Sequence, residues 1–386
     1  MKILLIHNYY QYSGGEDTYV NWLACMLKKR GHKVKLYTKH SSSIRQNFIQ
    51  RTLLASNLFY NFQTARELRH LIAHFKPDIA HIHNVFPLVS PSCYFVCKKA
   101  GIPMVQTIHN YRFMCTGGTL YHDSHVCNRC LKTKSLLSCI LNRCYHHSFI
   151  ATSLLTAVLL LQRNKIIHML DCLIFPTSFS RKLYEDYFGF LKSKSAVIHY
   201  SISVLNQLPV KRVKQKNYFL YVGRLSEEKG VLELIKEVSV HSTLHLIVVG
   251  TGPLEKKMRI YKKYTNISFT GHLSKVKTLS LMKHAEAVII PSKWYEVLPL
   301  VYIESLALNV PVIAPHIDTF SFTYTKNRQF TYTFGDISEL VNKLQKFTYD
   351  KQSLFFRNVY DKYFLEKTHY TNLMKVYKRH VTHHTL

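Results

Sequence analysis

Short apolar runs and amphipathic stretches alternate along this chain, stop at a charged segment, and then alternate again. The first series reads as strand Ile3–Ile6, a Gly14-Gly15 turn, a helix over Glu16–Arg30 stopped by Gly31, and strand Lys33–Tyr37. A helix over Leu58–His74 leads to strands Asp78–His83 and Pro103–His109, and after an insertion come Cys172–Phe175 and Ala196–Ile198. Beyond the polar break Lys211–Lys216, strands Tyr218–Val222, His245–Val249 and Ile267–Thr270 are followed by helices from Gly230, Pro253 and Ser274. A strand from Glu286, a helix opened by Pro299 and strand Pro311–Ala314 complete the second series. Strands separated by helices predict parallel, doubly wound sheets. The expected class is therefore α/β, with two Rossmann-like domains facing a cleft. The expected division is an N-terminal domain over 1–205 with an insertion at about 111–148, a linker over 206–216, and a second domain over 217–351. A basic helical tail, 352–386, is expected to pack back on the first domain.

Composition narrows the partners. With 386 residues and 47% hydrophobic content the chain can build two cores of ordinary size. A formal charge of +30 predicts an anionic partner: a membrane surface, an acidic glycan, a nucleotide or a nucleic acid. Nucleic acid is the poorest fit, because no motif interleaves aromatic and basic residues at single-strand spacing. The run Lys2–His7 leads directly into polar residues without a cleavage site and reads as a strand, not a leader. The apolar stretch Phe149–Leu161 is shorter than the roughly 20 residues of a membrane span and predicts a core helix. The expectation is a cytoplasmic protein, touching the inner face of a membrane through surface charge at most.

The most chemically informative stretch is Pro291–Ala314. Glu296 falls on a loop at the carboxyl end of a strand, and Glu304 falls early on the helix that Pro299 opens. Ligands of open α/β sheets bind at such strand ends. Two carboxylates there can accept hydrogen bonds from a polyhydroxylated ligand, while the helix N-terminus between them faces an anion. Upstream, Gly223-Arg224 and Lys229-Gly230 follow the first strand of the same half. Arg224 offers a planar fork and Lys229 a point charge, both suited to a diphosphate, with Glu227 and Glu228 as competing intrahelical partners. Gly250-Thr-Gly252 supplies another close-approach loop. In the first half, Gly14-Gly15-Glu16 opens a helix after a strand, and His109-Asn110 closes another strand. Either pair suits a phosphate or a sugar, and either is also compatible with a plain turn. The chain has no Asp-x-Asp, no P-loop and no Gly-x-Ser-x-Gly, so a diphosphate would be neutralised without a metal clamp.

Nine cysteines argue for a reducing compartment or a metal. Cys127 and Cys130 form a C-x-x-C knuckle, with Cys115 before and Cys144 after, and these could be four thiolate ligands of a structural zinc. Cys139 is a rival ligand, and free thiols or a disulfide pair are alternatives.

Gly14-Gly15, His109, Arg224 with Lys229, and Glu296 spaced from Glu304 ahead of Pro311-Val-Ile together resemble the retaining family-4 glycosyltransferases. The likeness runs in order from Lys2 to about Pro315. It implies the glycosyltransferase B fold and transfer of a hexosyl group from a nucleotide-diphosphate sugar to a glycan or lipid-linked acceptor, with retention by front-face attack and no cofactor. By the same resemblance Glu304 binds the donor's ribose and Glu296 the transferred sugar. Arg224 and Lys229 hold the diphosphate beside backbone amides around Leu300, while Gly15 and His109 close the site from the first domain. The cysteine insertion resembles one in a bacterial branch of the family. Where the family usually has glycine this chain has Val297 and Asn309, and His316–Thr319 replaces a Gly-Gly segment. A phosphorylase-type enzyme, a nucleotide-sugar epimerase of the same fold and a non-catalytic basic binding protein are the competing readings.

Overall fold

The computed structural model describes residues 1–11, 14–43, 56–202, 217–326, 328–350 and 352–384. The expected linker, 206–216, lies outside the described residues. The chain divides into two compact units, one of Met1–Leu120, Cys127–His199 and His369–Leu386, the other of Tyr121–Val126 and Tyr200–Thr368.

The strands of the first half are β1 (Lys2–Tyr9), β2 (Lys33–His40), β3 (Ile79–Ile82) and β4 (Met104–Thr107). A two-residue hairpin, β5 (Tyr121–His122) with β6 (His125–Val126), precedes β7 (Cys172–Phe175) and β8 (Ser195–Val197). The six-stranded sheet of the first unit runs β2-β1-β3-β4-β7-β8, all parallel. That is the flavodoxin-like order, whose direction reverses between β1 and β3. Ile3, Leu4, Leu5 and Ile6 are all fully buried, as a strand covered on both faces requires. The last helix, Glu366–His384, lays Leu373 and Tyr377 into this core, and the Tyr377 hydroxyl meets His81 Nδ1 at 2.6 Å.

The second unit repeats the scheme with β9 (Phe219–Val222), β10 (Leu246–Val249), β11 (Ile267–Gly271), β12 (Ala287–Ile289), β13 (Val312–Pro315) and β14 (Thr331–Tyr332). Its order, β11-β10-β9-β12-β13-β14, is that of a dinucleotide-binding Rossmann sheet, with the reversal between β9 and β12. Helix Val231–Val238 shows why it packs there: Val231, Leu234, Ile235 and Val238 recur at helical spacing and all are buried.

Several expectations need correction. The helix read over Leu58–His74 is interrupted at Tyr60 and Asn61, because the Asn61 side chain accepts from Thr64 N at 2.9 Å and caps a new helix, Phe62–Phe75. Pro299 is the residue before helix Leu300–Ala307 and not part of its first turn, an equally good place for a residue without an N–H. The apolar stretch at Phe149 is longer than expected, a 21-residue helix Phe149–Met169 that is long and apolar enough to cross a membrane by length and composition. Its second half nevertheless carries Arg163, buried, donating to the Phe113 carbonyl at 3.0 Å and to the Tyr187 hydroxyl at 2.9 Å. Its exposed side chains include Phe149, Ile150, Leu160 and Leu161.

Candidate active site

In the second unit three strand-end loops are pinned backbone to backbone. Gly250, after β10, has φ 138°, and a Cβ there would lie 1.9 Å from the Gly223 carbonyl oxygen after β9. Gly230 has φ 67°, and its Cβ would lie 2.0 Å from the carbonyl oxygen of Pro291 after β12. Only glycine permits both the left-handed backbone and the contact. These loops sit at the carboxyl ends of the strands, at the reversal of sheet order, where a ligand is expected.

Glu296 stands on the β12 loop and is 4% exposed. Its Oε1 accepts from Lys229 Nζ at 2.7 Å and from Ser292 Oγ at 2.6 Å, while Thr319 Oγ1 donates to its backbone carbonyl at 2.7 Å. The Lys229 ammonium also lies 5.1 Å from the centre of the Trp294 ring, whose buried indole N–H has no hydrogen-bond partner. Arg224 is half exposed and bound by its own turn, with Nη2 at 2.6 Å from Glu228 Oε1 and Nε at 3.2 Å from Ser226 Oγ. Burial raises the Glu228 carboxyl, but the Arg224 guanidinium and Ser226 outweigh it and hold the group below its ordinary value.

Glu304, 3% exposed on helix Leu300–Ala307, pairs with the ammonium of Lys275. Burial raises its carboxyl and the lysine opposes that rise. Each spaced glutamate thus has its own lysine, Lys229 for Glu296 and Lys275 for Glu304. Leu300, largely buried, begins the helix between them.

Asn309, where the family usually has glycine, has φ 57°. Asparagine tolerates that left-handed conformation better than most residues. Its side chain adds a bond from Nδ2 to the Ser353 carbonyl, 2.8 Å, and one from Arg357 N to Oδ1, 3.0 Å.

Sequence reasoning missed Lys275, Ser292 and Thr319. Lys275 had a signal: it is the first residue of helix Lys275–His284, where a cation opposes the helix dipole and calls for a nearby acid. Thr319 lies in the segment that replaces the Gly-Gly pair, so that change supplies a hydrogen bond to the Glu296 loop.

In the first unit, His109 follows β4, and its Nε2 lies 2.9 Å from His83 Nδ1. Burial holds both rings well below the ordinary histidine value, hence neutral. The two histidines line a small pocket with Glu16, Asn110 and Arg112. Glu16 Oε1 and His7 Nδ1 are 3.8 Å apart, and both are buried without a hydrogen-bond partner. Burial pushes the Glu16 carboxyl up to about 7, against the pull of His7. Gly14 and Gly15 are exposed at the start of helix Gly15–Lys29, and a Cβ on Gly14 would meet nothing within 4 Å. This unit therefore offers a neutral imidazole pair beside a carboxyl that titrates near neutrality, a set able to receive or relay a proton at a hydroxyl.

Residues 13–204 match the family model for Glycosyltransferase Family 4, and residues 207–360 match that for Glycosyl transferases group 1. An uncharacterized glycosyltransferase of Methanocaldococcus jannaschii is 30% identical over 165 residues, which cover 39% of this chain and only 40% of that protein. A 42.6 kDa protein in the cps region of Klebsiella pneumoniae is 22% identical over 334 residues, covering 79% of this chain and 83% of that one. Among solved structures, sucrose-phosphate synthase from Thermosynechococcus elongatus superposes with a TM-score of 0.71 at 17% identity, over 98% of both chains. Anabaena HepE in complex with UDP-glucose gives a TM-score of 0.67 at 14% identity, over 98% of this chain and 100% of that one. The two parallel sheets and these neighbours make the fold GT-B, and the two family matches together span most of the sequence. The chain belongs to the group 1 glycosyltransferases.

Proposed function

We propose that this glycosyltransferase moves a hexosyl group from a nucleotide-diphosphate sugar to a glycan or lipid-linked acceptor, with retention, in assembly of a cell-surface polysaccharide. The observation that carries the reading is the buried Lys229–Glu296 pair at the end of β12. In this reading Glu296 receives hydroxyls of the transferred sugar and Glu304 the ribose of the nucleotide. Arg224, Lys229 and the N–H groups at the start of helix Leu300–Ala307 face the diphosphate. As the glycosidic bond breaks, negative charge builds on the departing diphosphate, and fixed donors aimed at that charge lower the barrier. Glu296 already holds a lysine and a serine on one oxygen, which suits a group that positions the sugar over one that attacks it. Gly15 is exposed at the helix start of the first unit, and His109 is neutral and able to meet a sugar hydroxyl. The UDP-glucose complex of the structural neighbour supports a nucleotide-sugar donor.

The test is a thermal-shift screen against common nucleotide sugars, followed by NMR of the anomeric configuration of the product. The matching donor raises the melting temperature of the wild type. Glu304→Ala loses that shift, because the ribose loses its carboxylate and Lys275 its partner. If Glu304→Ala keeps the full shift, or if the product is inverted, the assignment is wrong.

The acceptor is proposed to lie at an anionic membrane on the cytoplasmic side. The +30 charge supports this, as do the exposed Leu137, Leu141, Phe149, Ile150 and Leu161 of the insertion and the helix after it. The protein should sediment with vesicles of anionic lipid at low salt and be released as salt rises. Failure to sediment at low salt removes the membrane from the proposal.

A further inference from the structure

The residues between Tyr111 and Ser148 form little regular structure: the β5–β6 hairpin and two five-residue helices, Arg129–Thr133 and Leu137–Leu141. Helices and hairpins of that length do not hold themselves together in water. Leu137 and Leu141 point outward, while Leu120 and Leu136 are fully buried. Sulfur is buried with them. Cys115, Cys130 and Cys139 are 6%, 4% and 1% exposed, and Cys144 is partly covered.

These thiols converge on Cys139. Its Sγ lies 3.3 Å from Cys130 Sγ, and Cys115 and Cys144 are its other thiol neighbours. The chain is shaped for that meeting. Gly117, two residues after Cys115, runs so close to Cys144 that a Cβ on it would lie 2.8 Å from the Cys144 carbonyl oxygen. The Thr116 hydroxyl is fastened to Thr156 at 2.8 Å on the following helix.

The separation of 3.3 Å is far outside a disulfide bond of about 2.05 Å. It is roughly half an ångström short of the 3.8 Å edge of a tetrahedron with zinc–sulfur bonds of about 2.3 Å. Among the described residues no group of three or more such side chains already stands at the spacing of a metal shell. The gap between Cys130 and Cys139 is small, and each sits on a helix of only five residues.

Charge points the same way. A zinc ion with four thiolates carries a net charge of −2, which needs cations around it. The insertion supplies Arg112, Arg129, Lys132, Lys134 and Arg143, with Asp123 as its sole acid.

We propose that Cys115, Cys130, Cys139 and Cys144 bind one structural zinc ion, which staples the insertion to the first unit. Each thiol releases its proton as the bond to zinc forms. Cys127 is left out of the set because Cys139, not Cys127, is the thiol in contact with Cys130. The C-x-x-C pair suggested by spacing is therefore replaced by Cys130 with Cys139. The metal has no step in the transfer reaction, so this proposal stands or falls apart from the function proposed above.

The experiment is metal analysis of the full-length protein purified from zinc-supplemented cells, with cobalt exchange as a second readout. The wild type and Cys127→Ser should hold about one zinc per chain, as should Cys25→Ser outside the cluster. Cys139→Ser should lose it. Cobalt in the wild type should give thiolate-to-metal charge-transfer absorption of tetrahedral, four-sulfur intensity. Zinc-free wild type that takes up no cobalt after reduction overturns the proposal even if the variants do not fold. Full zinc in Cys139→Ser, or its loss in Cys127→Ser, overturns the ligand set.

Discussion

Lys229→Met should cut kcat/KM by about two to three orders of magnitude, the cost of removing one donor from a developing anion, about 3 kcal/mol. The same substitution should lower stability, because Glu296 is almost fully buried and would lose its lysine partner. Removing one partner of a buried ion pair costs about 3–5 kcal/mol. The Lys229 side chain is 22% exposed, so the lower end of that range is expected. The two losses separate in a double variant. Lys229→Met with Glu296→Gln removes both charges, and the amide still accepts from Ser292, so urea denaturation should show most of the stability restored. Activity should stay low, since the leaving group has regained no positive charge. If the double variant recovers activity along with stability, Lys229 serves the fold and not the reaction.

The second large effect is acid instability of the first unit. His81 and His369 are buried, and burial lowers their rings from 6.5 to about 3 and about 4. His83 and His109 are lowered as well. In the fold these rings stay neutral, so the unfolded chain binds protons first. Their stabilisation is complete above pH 6.5 and drains away as pH falls toward the folded values. At pH 5 the loss is about 2 kcal/mol for each of His81 and His369. Glu16 opposes them. Its carboxyl, pushed up to about 7 from 4.5, takes a proton in the fold first and adds stability as pH falls across that interval. Over the same span it cancels about one histidine, and the net change remains a loss. Urea unfolding between pH 8 and pH 4 measures it. His81→Gln, which can still bond the Tyr377 and Thr107 hydroxyls, should flatten the slope by one proton, about 1.4 kcal/mol per pH unit. A wild type equally stable at pH 6.5 and pH 4.5, or an unchanged slope in the variant, would rule this account out.

Much of this architecture was legible in the residues. Fully buried parallel strands read as unbroken apolar runs, so β1, β7, β9 and β10 were visible within a few positions of their ends. Strand order was not legible, because both sheets use the same local pattern and differ only in where their third strands, β3 and β11, are added. Within the site, Glu296, Glu304, Arg224 and Lys229 were marked by their spacing and by the helix signal between them. Their partners were not, since Lys275 and Thr319 are brought in by turns 29 residues before Glu304 and 23 residues after Glu296. Nor did spacing favour Cys139 over Cys127. Which thiol turns inward depends on the short helix Leu137–Leu141, which no periodic pattern announces.

The contact between Gly250 and Gly223 constrains how such a protein can diversify. No side chain fits at Gly250, so the strand-end loops of the second unit can change only by moving whole strands. The turn at Gly14 is extended, and a Cβ there has open space around it. Point mutations can explore new contacts at that turn at little structural cost. Laboratory evolution that selects for a new acceptor should therefore accumulate changes around Gly14, while Gly223, Gly230 and Gly250 stay fixed.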